Sequence, residues 1–148
     1  MKIREFLSAS DVTVDVRAAD KAGLLKLLAT RAAAAVNLPP DAVTGELQKR
    51  EELGSTGIGR GVCIPHARLR EVKKPFGLFA RLQAPIQFNA IDGQPVDIVF
   101  LLLLPAASQL DQLNALAAVA RKLRHAEVLQ KVRSANTTTE IYRALTED

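Results

Sequence analysis

The sequence predicts an α/β fold, a single domain in which a central mixed β-sheet is sandwiched between helices, and three observations carry that expectation. Segments with strand-like apolar alternation are interleaved with segments whose apolar residues recur at helical spacing. Val96 to Leu104 is apolar at every position but Asp97, as a strand covered above and below must be. The helical segments are numerous enough to cover both faces of one sheet. At 148 residues the chain is read as one domain, residues 1–148, without internal repeat or linker.

The elements follow in order. Val12-Thr13-Val14-Asp15-Val16 alternates as a half-buried strand does. Asp20 offers an N-cap for a helix through Leu24, Leu25, Leu27, Leu28 and the alanines up to Ala35, which Asn37 and Pro39 end. Pro39 and Pro40 open a second helix with the stripe Val43, Leu47, Arg50 and Leu53, and Gly54 stops it. A glycine-rich loop, Gly54 to Gly61, leads to a short strand Val62-Cys63-Ile64, with Pro65-His66 at its end. Phe76 to Leu82 forms a strand, Ile86 to Phe88 a shorter one, and Asp92-Gly93 a turn before the central strand. Ser108 with Asp111 caps a helix whose stripe is Leu113, Leu116, Ala120 and Leu123. A short helix around Leu129 and a last one capped by Thr137 with Glu140 complete the chain.

Composition excludes several functions. The longest apolar run, Ile98 to Leu104, is far below the ~20 residues of a membrane-spanning helix, and no secretory leader follows Lys2 and Arg4. One cysteine makes no internal disulfide, and with two histidines it makes no zinc site of common spacing, so the expected compartment is the reducing cytoplasm with no metal and no cofactor. A net charge of +4 and aromatic content of 4% argue against nucleic acid as a partner. Cys63, between Val62 and Ile64, reads as a small buried hydrophobe.

The glycine loop is where chemistry can sit. It lacks the lysine and hydroxyl of a P-loop and the third glycine of a dinucleotide fingerprint. What is left is a loop with many free N–H groups, able to cup an oxyanion or simply to make a tight crossover between helix and strand. Pro65 stiffens the backbone that carries His66, whose imidazole is mostly neutral at cytoplasmic pH and can act as a nucleophile. Phosphoryl transfer to such a ring asks for in-line placement and donors around three oxygens, which the loop N–H groups, Ser55, Thr56, Arg50 and Arg68 can supply. On spacing alone, His66 also fits a structural role, and Arg50 fits an arginine covering the edge of the core.

The run from Arg50 to His66, with Gly54-Ser55-Thr56-Gly57-Ile58-Gly59 and Ile64-Pro65-His66, resembles the phosphorylation-site motif of fructose/mannitol-type enzyme IIA domains of the bacterial phosphoenolpyruvate-dependent phosphotransferase system. Ala90-Ile91-Asp92-Gly93-Gln94-Pro95-Val96-Asp97 resembles a second block of that family. With no transporter or IIB domain attached, the chain most resembles the stand-alone, nitrogen-regulatory members. The resemblance implies that His66 accepts a phosphoryl group from a histidine phosphocarrier protein, and that Arg50 is the motif arginine. It also implies that the phosphohistidine controls regulatory partners such as potassium transporters and sensor kinases.

Where the family commonly has a second histidine, this sequence reads Gln112-Leu113-Asn114. An amide can hydrogen-bond a phosphate oxygen, so Gln112 joins the expected phosphate-binding residues, but it gains no proton or charge. His125 reads as a cation at a helix end rather than a substitute. Arg121, Lys122 and Arg124 read as the solvated last turn of that helix, or as a contact for an acidic partner. Two further functions are weighed: a sugar-branch IIA unit passing phosphate to a fructose or mannitol IIB subunit, and a binding module with impaired phosphotransfer. The sequence leaves homodimerisation open.

Overall fold

In the computed structural model, which describes residues 1–148, one strand organises the molecule. β6 (Val96–Pro105) pairs antiparallel with β5 (Phe76–Ile86) on one side. On its other side it pairs parallel with β3 (Val62–Cys63) and β4 (His66–Leu69). β1 (Leu7–Val16) lies parallel to β5 at one edge, and β2 (Gly57–Gly59) runs antiparallel to β3 at the other. The result is a mixed six-stranded sheet in the order β1-β5-β6-β3-β2, with β4 also beside β6.

Alternation along β6 divides the core into two layers. Val99, Leu101 and Leu103 pack under α1 (Lys21–Val36) and α2 (Pro40–Leu53). Ile98, Phe100, Leu102 and Leu104 pack under α3 (Gln109–Arg124), α4 (Ala126–Ser134) and α5 (Thr138–Thr146). Every one of these side chains is buried, as the unbroken apolar run requires. The caps also sit where the sequence puts them: Asp20, Ser108 and Thr137 accept from the N–H groups of Gly23, Asp111 and Glu140.

Five expectations are corrected. β1 starts at Leu7 rather than Val12, because a break in its register against β5 interrupts the alternation ahead of Val12. The glycine segment is not wholly loop: Gly57–Gly59 pairs with β3 as a small hairpin. Ile86 to Phe88 is no separate strand; β5 continues to Ile86 and Phe88 is buried beyond its end. The stripe of α3 keeps Leu123 but is otherwise shifted by one residue: Gln112, Ala115 and Val119 are buried in place of Leu113, Leu116 and Ala120, and Leu113 is 61% exposed. On α2 the expected stripe loses Leu53, which is 82% exposed.

Two glycines are required by close approach. At Gly61, with φ +78°, a β-carbon would lie 2.6 Å from Arg133 Nη2 and 2.7 Å from Asp97 Oδ1, inside the ion pair that ties α4 to β6. At Gly57 it would lie 2.7 Å from the Ala90 β-carbon and 2.8 Å from Ala90 Cα. Gly57→Ala therefore forces the hairpin and the Ala90 backbone apart, and urea denaturation is expected to show a loss of about 1–3 kcal/mol.

Candidate functional site

His66 is aimed by the strand that carries it. Cys63 pairs with Val99 and His66 with Leu102, so β3 and β4 keep one register along β6 on both sides of Ile64-Pro65. Pro65 has no N–H to give, but its carbonyl still accepts from Leu102 N at 2.9 Å. The chain thus breaks its ladder at Pro65 without slipping. Ala67 and Leu69 then point into the α1–α2 layer, which turns His66 and Arg68 to the other face, beside the start of α3.

Two hydrogen bonds fix the imidazole. His66 Nδ1 lies 2.8 Å from the Ile64 carbonyl, which can only accept, so Nδ1 carries the proton. Nε2 accepts from Arg50 Nε at 3.2 Å, as an unprotonated nitrogen must. Arg50 Nη1 donates in addition to the Gly54 carbonyl at 2.8 Å, which fastens the guanidinium to the end of α2. Burial pushes the His66 pKa below its ordinary value. The Ile64 carbonyl and Glu51 oppose that shift, while the positive charges of Arg50 and Arg68 add to it. The ring is therefore held neutral, and its one basic lone pair, at Nε2, is the one that Arg50 engages.

That nitrogen faces an open cleft of about 360 Å³. Arg50, Lys49 and Leu53 of α2 form one wall, His66 and Arg68 another, and Gln112 and Leu113 of α3 a third. Of the residues expected at the site, His66, Arg50, Arg68 and Gln112 line this cleft. Ser55 and Thr56 do not. Ser55 Oγ donates to the Phe88 carbonyl at 2.9 Å and accepts from Gly57 N at 3.0 Å, pinning the loop to the chain after β5. The Thr56 hydroxyl donates to Glu51, and Thr56 N donates to the same carboxylate at 3.2 Å. Gln112 lines the cleft in an unexpected way, since its Nε2 donates to the carbonyls of Pro105 (3.0 Å) and Ala106 (3.4 Å). Its side chain holds the turn between β6 and α3.

Sequence reasoning missed Glu51 and Lys21. Lys21 Nζ lies 2.8 Å from Glu51 Oε2 and 4.5 Å above the Phe88 ring, so one buried carboxylate joins α1, α2 and the glycine loop directly beside Arg50. The available signal was an acidic residue in the last turn of α2, where the helix dipole disfavours it and a local partner is needed. Cys63, fully buried, has its thiol pushed well up by burial and by Glu51, which leaves it protonated and inert. No helix is long and apolar enough to cross a membrane.

Residues 5–148 match the family described as phosphoenolpyruvate-dependent sugar phosphotransferase system, EIIA 2. The nitrogen regulatory protein of Bradyrhizobium diazoefficiens is 41% identical over 145 residues, 98% of this chain and 95% of that one. The crystal structure of nitrogen regulatory protein IIA-Ntr from Neisseria meningitidis is similar at a TM-score of 0.92 and 33% identity, covering 97% of this chain and 99% of that chain. Enzyme IIAMTL of Escherichia coli, solved in complex with phosphorylated enzyme IIBMTL, shares the fold at a TM-score of 0.78 and 15% identity, covering 93% and 95% of the two chains.

The electrostatics of the ring set its titration. The folded pKa of His66 lies below the unfolded value of about 6.5, so the folded state resists protonation and stability falls as the pH drops through the interval between the two. Ring NMR is expected to give a midpoint below 6.5. Arg50→Ala removes a cation and a donor to Nε2 and is expected to raise that midpoint; an unchanged or lower value would overturn the assignment of charge around the ring.

Proposed function

The chain belongs to the phosphoenolpyruvate-dependent sugar phosphotransferase system EIIA 2 family, and on that premise we propose that it is a phosphocarrier in which His66 Nε2 is the acceptor. The observation that carries this reading is the pair of hydrogen bonds on the ring, which leaves Nδ1 protonated and Nε2 with its lone pair toward the cleft. The donor is a histidine phosphocarrier protein bearing a phosphohistidine. The Nε2 lone pair forms the new P–N bond as the P–N bond of the donor breaks, and the electron pair of that bond returns to the donor ring. The proton stays on Nδ1, hydrogen-bonded to the Ile64 carbonyl, so the step needs no general base.

Arg50 has two tasks in sequence. Its Nε–H holds Nε2 in the resting state, and it moves onto the phosphoryl oxygens as Nε2 attacks. Arg68, on the same strand face two residues along, supplies a second cation to the equatorial oxygens. Gln112 orders the turn before α3 and adds no titratable group, so transfer does not acquire a second protonation step. Ser55 and Thr56 support the phosphoryl group through the loop rather than by direct contact.

The phosphoryl group adds roughly −1.5 to −2 charges beside the exposed side chains of Leu53 and Leu113. In this reading that change of charge, on a face otherwise fit for apolar docking, is the regulatory signal. The similarity to nitrogen regulatory relatives supports regulation over sugar uptake, with partners such as potassium transporters and sensor kinases in the cytoplasm. Residues 1–148 would then act as one unit.

Incubation with enzyme I, the phosphocarrier and labelled phosphoenolpyruvate is expected to add one phosphoryl group to the wild type and none to His66→Ala. Equal labelling of both removes the assignment. Arg50→Ala is expected to slow labelling by about 100-fold or more, the typical effect of deleting one donor to a developing anion. Equal affinity of wild type and His66→Asp for a regulatory partner would instead mark a binding module indifferent to charge at this position.

A further inference from the structure

The basic cluster that closes α3 takes no part in the His66 cleft, yet it has a cleft of its own. Between the glycine hairpin and the second half of α3 lies an open depression of about 490 Å³. Arg60, Arg121 and Arg124 surround it, Ile58 and Ala120 give it apolar ground, and no carboxylate lines it. None of the three guanidinium groups is in an ion pair. Arg60 Nη1 donates to the Arg124 carbonyl at 2.9 Å, the only hydrogen bond made by any of these three side chains. The nearby acids are engaged: Asp92 accepts from the N–H groups of Arg60 and Gln94, and Asp97 is held by Arg133.

We propose that this second cleft is a docking site for an acidic segment of a partner protein. Arg121 and Arg124, three residues apart on one face of α3, can each take a carboxylate in bidentate fashion, with Arg60 opposite them on the hairpin. Ile58, 45% exposed, receives an apolar side chain between the charges. Arginines around apolar ground are what protein interfaces favour, whereas a site for single-stranded nucleic acid would need aromatic platforms, and none lines this cleft.

The site abuts the His66 cleft without depending on it. Leu116 lines one and Ala117 the other. Between Leu113 and Arg121 the helix rises about 12 Å, beyond the ~8 Å over which salt screens charge at physiological strength. Docking here therefore stands apart from the phosphocarrier reading, and a partner held on α3 stays held in both states of His66.

The test uses a fluorescein-labelled peptide of alternating glutamate and leucine, read by anisotropy and by amide shifts of the labelled protein. Shifts are expected in Ile58 to Arg60 and Ala117 to Arg124. The exposed pair Arg121→Gln with Arg124→Gln should weaken binding roughly tenfold, while Lys73→Gln with Lys74→Gln, in the exposed connection between β4 and β5, should leave it unchanged. Equal weakening by both pairs would reduce the effect to bulk charge and overturn the proposal. So would shifts centred on His66, absence of binding, or tighter binding of a thymidine oligonucleotide than of the peptide.

Discussion

The hydrogen bond from His66 Nδ1 to the Ile64 carbonyl takes one ring nitrogen out of play and leaves the other to face the cleft. It is a bond between residues two apart, so it exists only because the backbone from Ile64 to His66 is held extended. Pro65 contributes by restraining Ile64, and β6 contributes by pairing with the chain on both sides of the proline. β6 in turn is fixed because its side chains are buried in two layers at once. The state of one imidazole thus rests on the best-packed strand of the protein. This is how a sheet, rather than a loop, comes to position the imidazole.

Around that fixed ring the rest of the cleft is assembled from helix ends. Arg50 reaches His66 from the last turn of α2, and the Lys21–Glu51–Thr56 node anchors that turn to α1 and to the glycine loop. Removing the buried carboxylate would strand a lysine and leave a backbone N–H unpaired, so the node belongs to the same structure as the site. On the opposite wall Gln112 gives its amide protons to Pro105 and Ala106 and so sets where α3 begins. α3 keeps its small and medium residues, Ala115 and Val119, against the sheet and turns Leu110 and Leu113 outward. The first half of the helix can then lie close to β6 while Leu113 faces the cleft, and Leu123 anchors its far end in the core.

Much of the fold was legible because its signals were local and redundant. The apolar run of β6 and the caps Asp20, Ser108 and Thr137 each have one physical interpretation. The stripe of α3 was misread because leucine content is a poor guide where a helix spends its leucines on a surface; the burial of Gln112 had no signal in period or composition. At the site, residues that a strand or helix period places on one face, His66 with Arg68 and Arg50 on α2, come together in the cleft. Ser55 and Thr56 do not, since a hydroxyl in a glycine-rich loop has no periodicity to say where it points, and nearby acceptors, Phe88 O and Glu51, take them first.

The unbroken register across Pro65 bears on how this chain can change over generations. Between Val62 and Leu69 the backbone is counted off residue by residue against β6, and side chains alternate between two environments. Gaining or losing a single codon there would put the imidazole out of phase, swinging it into the apolar layer under α1 and α2 and turning its apolar neighbour out to the cleft. Substitutions along this stretch face the ordinary rules of packing; insertions and deletions face a parity rule, under which only even steps keep the ring outside.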